Sequence, residues 1–227
     1  VWPNHAVNHP FLQTLVPKSK GSLVTVVREP ADRFFSACNF FMRPALKELE
    51  GITSCAQFVI QAAKDRRLEE RWGQARMGPP LHDFYRVLNG MTLTLGGGRS
   101  AEEASSDLVD QILAPRSNYT VLLFERMKES LVMFGEEYGL ELSDLAHLPI
   151  KQNGRKRWWK TTHGEGSPAQ NAAAALHGPD SAVYRAAVQA HERRAATYGR
   201  SRLAGKVREL AALIEATKRR CEGTLAR

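Results

Sequence analysis

The run Leu23-Val-Thr-Val-Val27 is apolar and β-branched without a break, and it stops at Arg28. Such a run predicts a strand, Ser22 to Val27, buried on both faces of a parallel sheet. Glu29-Pro30 follows, and Phe34, Phe35, Cys38 and Phe41 then recur at helical spacing. A helix from Pro30 to about Met42 is the expectation, with proline in its first turn. The pattern returns later: Tyr119 to Phe124 reads as a second strand, and Lys128 to Tyr138 as the helix after it, closed by Gly139. Two strand-then-helix units predict an α/β domain with a parallel sheet.

Between the units, residues 54–72 read as a helix that becomes charged toward Trp72, and Gly78-Pro-Pro80 breaks it. Leu93 to Gly98 reads as a turn; it lacks the Gly-Lys-Ser/Thr ending of a phosphate loop, so no nucleotide role is assigned to it. Ser105 to Leu113 reads as a short helix. Residues 1–12 are rich in His, Asn and Pro and read as a loop, with one helical turn over 11–16. Residues 151–178 read as a long loop of basic and small residues. Two amphipathic helices close the chain: Asp180 to Tyr198, with Val183, Tyr184, Ala187 and Val188 on one face, and 202–221, using Leu203, Val207, Leu210 and Ile214.

A chain of 227 residues is long enough for one sizeable core. The expected organisation is a single domain, with an α/β core over 1–150 and a basic loop with C-terminal helices over 151–227. Hydrophobic content of 43% and charged content of 25% are those of an ordinary globular protein. No run of about 18 apolar residues exists to span a membrane, and no signal-peptide pattern is visible. The first residue is Val1 rather than Met, so the chain is expected to be part of a longer one.

The net charge of +8 is unevenly placed. Residues 151–227 carry 16 Lys and Arg against 6 Asp and Glu, whereas residues 1–150 carry 16 against 18. An acidic partner fits this asymmetry, and so does a solvated basic face. Cys38, Cys55 and Cys221 show no CxxC spacing and no metal pattern, so no metal is expected. Cys38 lies on the apolar side of the first helix and reads as a buried thiol, while a Cys55–Cys221 disulfide stays open. Asn118-Tyr-Thr120 is an N-glycosylation sequon, meaningful only in the secretory pathway.

The chemistry concentrates at Arg28 and Ser36. A buried strand brings a guanidinium to the end of a sheet beside a helix start, and a hydroxyl follows eight residues on. A guanidinium grips phosphate oxygens as a fork, and helix starts favour anions. The competing reading is a structural ion pair between Arg28 and Glu29 or Glu125.

The order strand, Arg28, Glu29, Pro30, two residues, Arg33-Phe34, then Ser36 resembles the 3′-phosphate-binding segment of sulfotransferases that use 3′-phosphoadenosine 5′-phosphosulfate (PAPS). Further segments are similar to the galactose 3-O-sulfotransferase family of Golgi enzymes. They are Asn4-His5-Ala-Val-Asn-His9, Val121 to Val132 with its Glu129-Ser-Leu-Val132, Lys151-Gln-Asn153-Gly-Arg155, and the stretch from Tyr184 to Cys221. The resemblance implies a P-loop-like parallel sheet flanked by helices, the sulfotransferase fold, with a helical C-terminal part. It implies PAPS as co-substrate, held at its 3′-phosphate by Arg28 and Ser36 with Arg155 closing over phosphate or glycan. It assigns His5 as the base that takes the acceptor's proton, an imidazole being suited to that task. His9 is the alternative, constrained by Pro10.

The implied acceptor is a sugar hydroxyl, most plausibly the galactose 3-hydroxyl of a glycolipid or glycan, and no nucleic-acid partner is expected. Val7 and Asn8 depart from the family's Asn-His-x-Arg-Phe pattern, which bears on acceptor binding. Trp158 and Trp159 fit either sugar stacking or core packing. The implied setting is the lumenal side of the Golgi membrane, with an anchor outside this chain. The family's 5′-phosphosulfate loop falls before Val1, so the expectation is half a nucleotide site and poor transfer by this chain alone. A uronosyl 2-O-sulfotransferase-like enzyme and a non-catalytic basic module binding acidic glycans or nucleic acid are the alternatives.

Overall fold

The computed structural model describes residues 23–39, 52–65, 89–95, 100–115, 117, 119–147 and 166–225. Their architecture is mostly helical, around a parallel pair of strands. β1 (Leu23–Val27) lies beside β2 (Tyr119–Leu123), in register from Leu23 opposite Tyr119 to Val27 opposite Leu123. The parallel arrangement expected from the two strand-then-helix units is therefore present.

One face of this pair carries Val27, Tyr119, Val121 and Leu123 into a core shared with the helices α4 (Ala101–Leu113) and α8 (Gly178–Tyr198). The opposite face is covered unevenly. Helix α5 (Met127–Tyr138) covers β2, with the Thr120 and Tyr138 hydroxyls 3.0 Å apart and Ser130 Oγ accepting the Leu123 amide at 3.0 Å. Val24 and Val26 on β1 remain 46% and 49% exposed. Burial on both faces thus holds for β2 and fails for β1, whose outward valines have no helix against them among the described residues.

Helix α1 (Pro30–Ala37) starts where the Glu29-Pro30 pair predicts, with Glu29 as its cap. Its Phe34 and Phe35 are buried and pack edge to face, ring centres 5.1 Å apart, and Phe34 stacks on Phe58 of α2 (Cys55–Lys64). Ser54 caps α2 by accepting the Gln57 amide. Cys38 and Cys55 form a disulfide between the two helices, and Cys221 is the free cysteine. Both readings of the thiols are corrected by this pairing. Cys38 and Cys55 face each other in the same core, with Cα atoms 6.0 Å apart, inside the range a disulfide spans.

Two further expectations are corrected. Residues 90–95 form a helix, α3 (Gly90–Leu95), rather than a turn. The buried Asp180 carboxylate accepts the Met91 and Thr92 amides at 3.2 and 2.7 Å, satisfying a helix start from 88 residues away in the chain. The span read as a loop over 151–178 contains α7 (Pro168–Leu176), capped by Ser167, whose Oγ accepts the Gln170 amide. Ala169 and Ala173 place this helix against α1 and α2, where small side chains allow close approach. The unpredicted α6 (Leu142–Leu145) follows Gly139, whose φ of 67° ends α5 as expected of a glycine cap. The last helix, α9 (Arg200–Leu225), packs Leu203, Val207, Leu210 and Ile214 against α5 and α6. Helix α2 ends at Lys64, where Asp65 is extended (φ −135°, ψ 96°), short of the single helix expected over 54–72. The expected helical turn over 11–16, the extension of α1 beyond residue 39 and residues 66–72 lie outside the described residues.

Candidate functional site

Because β1 and β2 are parallel, their carboxyl ends lie together, and the residues that follow each strand share one edge. That edge is where open α/β sheets place their ligands. Arg28 continues β1 there and Phe124 continues β2. The Arg28 guanidinium lies over the Phe124 ring, 4.8 Å from its centre, and the ring is 51% exposed. The Arg28 side chain is 20% exposed, and its Nη2 sits 3.9 Å from Asp32. Its Nε is buried with no hydrogen-bond partner among the described residues. A guanidinium has five donors in a fixed fork, so one loose ion pair leaves most of its capacity unused.

The helix start beside it is differently disposed from the sequence expectation. The Glu29 carboxylate accepts the Ala31 and Asp32 amides at 3.1 and 2.6 Å. The first turn of α1 therefore already holds an anion, and it is the protein's own. Nor is Glu29 or Glu125 the ion-pair partner of Arg28; that partner is Asp32. Glu125 does other work: its Oε1 accepts the Glu29 amide at 3.0 Å and its Oε2 accepts the Tyr184 hydroxyl at 3.2 Å. Burial raises the Tyr184 phenol to about 12, helped by Glu125, Glu29 and Asp32. It stays a donor at any ordinary pH.

Ser36 follows Asp32 by four residues, so the two share one side of α1, and Arg28, which precedes the helix, reaches that side at Asp32. Ser36 is half-buried. The Ala31 and Asp32 amides are thus not open to an external anion, and the groups on this edge that could meet one are Arg28 and Ser36. His5 and Arg155 lie outside the described residues, as do His9, Trp158, Trp159 and Asn118.

Sequence reasoning passed over a second cluster, buried where α1, α3 and the α7–α8 corner meet. His177 and Asp180 are fully buried. Asn89, held at φ 52°, donates its amide to His177 Nδ1 at 3.2 Å and its Nδ2 to the Leu176 carbonyl at 3.2 Å. The Asp180 amide donates back to Asn89 Oδ1 at 3.3 Å. Arg33 of α1 reaches Asp180 at 3.8 Å, and burial lowers its pKa while Asp180 opposes that. Gly90 lies beneath it: a Cβ there would fall 2.1 Å from Arg33 Nη2 and displace the end of that side chain. Burial drives the His177 imidazole down to about 4, with Asp180 opposing and Arg33 reinforcing, so the ring is neutral. The only sequence signal for this cluster was Asp180 at the start of an amphipathic helix, which says nothing of its partners.

The basic C-terminal helices are answered in part from within. Arg194 pairs with Glu137 at 2.7 Å, Arg202 with Glu136 at 2.7 Å, and Arg200 with Glu192 at 2.7 Å. Arg126 bridges Glu129 and Glu192. Arg208, Lys218 and Arg219 are exposed on α9. Among the described residues no group of His, Cys, Asp and Glu could hold a metal ion, and no helix is long and apolar enough to cross a membrane. Comparison of the chain with protein-family models, with curated proteins and with solved structures returns no match.

Proposed function

We propose that this chain forms much of a PAPS-dependent carbohydrate sulfotransferase of the sulfotransferase fold, acting on a sugar hydroxyl such as the galactose 3-hydroxyl of a glycolipid or glycan. The observation that supports this reading is the placement of Arg28. It stands at the carboxyl end of a parallel strand, loosely paired and with a donor to spare, beside Asp32 on the side of α1 that also carries Ser36. A dianionic 3′-phosphate is matched by a charged fork plus a hydroxyl. In this reading PAPS supplies the activated sulfuryl group. Arg28 and Ser36 hold the nucleotide's 3′-phosphate, Arg155 closes on phosphate or glycan, and His5 takes the proton of the attacking sugar hydroxyl. The Cys38–Cys55 disulfide favours an oxidising compartment and so agrees with a lumenal, membrane-anchored Golgi enzyme.

A second reading, a basic module for polyanions, draws on the exposed Arg208, Lys218 and Arg219 of α9. Retention on immobilised 3′,5′-ADP separates the two. Wild-type protein should be retained and released by free 3′,5′-ADP, Ser36→Ala weakened, and Arg28→Ala lost. Retention of Arg28→Ala equal to wild type defeats the sulfotransferase reading. Salt-sensitive binding to any polyanion, indifferent to Arg28, would establish the basic module instead.

A further inference from the structure

The turn that carries Arg28 is tied to the rest of the molecule at one carboxylate. Glu125, second residue after β2, accepts the amide of Glu29 with one oxygen and the hydroxyl of Tyr184 with the other. The accepted amide belongs to the peptide that joins Arg28 to Glu29, so Glu125 fixes the backbone from which the Arg28 side chain departs. Tyr184 lies in the second turn of α8, far along the chain from either strand. Its ring packs with the core that covers the sheet's inner face. The chain of contacts therefore runs from α8 through Glu125 to the Arg28 peptide, and three elements meet on it.

We propose that Glu125 and Tyr184 are positioning residues for the contact between Arg28 and the nucleotide 3′-phosphate, which makes α8 part of the nucleotide site. This rests on the sulfotransferase reading above. The physical argument is that a fork-like grip needs its root held. Among the described residues, the Arg28 side chain is restrained by the Phe124 ring and by Asp32 at 3.9 Å. Its aim is then set by its backbone, and the described tether on that backbone beyond the helix cap is the Glu125 carboxylate. Tyr184 in turn occupies the second oxygen of Glu125 and keeps the carboxylate from swinging toward Arg28, where it would compete with a phosphate.

The test compares two ligands that differ only in the group Arg28 is assigned to hold: 3′,5′-ADP and 5′-AMP. Binding of both to the full chain is measured by calorimetric titration and competition, with thermal melts to verify folding. Tyr184→Phe should weaken 3′,5′-ADP about tenfold, as loss of a hydrogen bond to a charged group does, and leave 5′-AMP unchanged. Glu125→Gln gives an independent sign. Removing a negative charge near Arg28 by itself tightens phosphate binding, whereas slackening the tether loosens it, and loosening is the expected result. Equal losses for both nucleotides in Tyr184→Phe, no loss for either, or tighter 3′,5′-ADP binding by Glu125→Gln overturns the positioning role. If wild type binds 3′,5′-ADP no better than 5′-AMP, the sulfotransferase reading falls and this inference falls with it.

Discussion

Acid should unfold this protein through His177, and the amount follows from its surroundings. The ring is fully buried against Phe34, with centres 5.7 Å apart, and Nδ1 accepts the Asn89 amide. The proton of the neutral ring therefore sits on Nε2. Protonating Nδ1 would remove that acceptor and place a second cation near Arg33. Burial, partly offset by Asp180 and reinforced by Arg33, takes the pKa from 6.5 to about 4. The folded state thus binds the proton less readily than the unfolded state. The stability attached to a neutral His177 is fully present above about pH 6.5, falls as pH drops toward 4, and is gone below that. At about 1.4 kcal/mol for each pH unit between the two pKa values, the loss is about 3 kcal/mol. His177→Asn keeps an acceptor near the position of Nδ1 and cannot titrate. At neutral pH it should cost about 2 kcal/mol through lost ring packing. Urea unfolding of both proteins from pH 7.5 to 4 measures the difference, in which the other titrating groups, His191 among them, largely cancel. The wild-type advantage should shrink steadily below pH 6.5 and reverse near pH 5, where about 2 kcal/mol has been lost. Parallel stability curves across that range would show that the ring is not held neutral by this site.

The disulfide and the ion pair of Arg28 each give a further expectation. Cys38→Ala with Cys55→Ala should lower stability by about 3 kcal/mol, the value for closing a loop of this size, and non-reduced peptide mapping should join Cys38 to Cys55 and leave Cys221 open to alkylation. Finding Cys221 in a disulfide would refute it. Asp32→Asn removes the carboxylate that a phosphate must displace from Arg28. Charges 3.9 Å apart in a mostly buried setting interact by more than 1 kcal/mol, so binding of 3′,5′-ADP should tighten about fivefold in titrations. Unchanged or weaker binding would show that Asp32 orients Arg28 rather than opposes its ligand.

The elements legible in the sequence were those whose signals are local. β1, β2 and α5 declare themselves through apolar runs, and α1 and α5 through Pro30 and Gly139 at their ends. The missed elements draw their support from afar. Helix α3 has its start capped by Asp180, and nothing within residues 90–95 announces that carboxylate. Helix α7 is a run of alanines whose buried face is too small to give an amphipathic pattern, although Ser167-Pro168 is a legible helix start. The disulfide depends on how α1 and α2 pack, which spacing does not specify. At the candidate site Arg28 was legible as a strand end. The Glu29 carboxylate in the helix amides was not, because Glu-Pro announces a helix without saying which way the glutamate turns.

The C-terminal third is strongly basic by count, yet Arg194 and Arg202 are answered by Glu137 and Glu136 of α5, and Arg126 and Arg200 converge on Glu192. Those pairs draw α5, α8 and α9 together while placing several of the guanidinium groups beyond easy use by a ligand. Among the described residues of the sheet edge, Asp32 lies beside the Arg28 guanidinium, and the Glu29 and Glu125 carboxylates hold backbone amides of the same turn. On the proposed reading, carboxylates in this turn would repel an anion that does not reach Arg28 itself. Such a site favours a compact, strongly charged group able to displace Asp32 and engage Ser36 at the same time. A terminal phosphate meets that requirement, and an extended acidic polymer does not. Selectivity on this edge would therefore come from the carboxylates as much as from the arginine, which is why substitutions at Asp32 and Glu125 probe the reading more sharply than removal of Arg28.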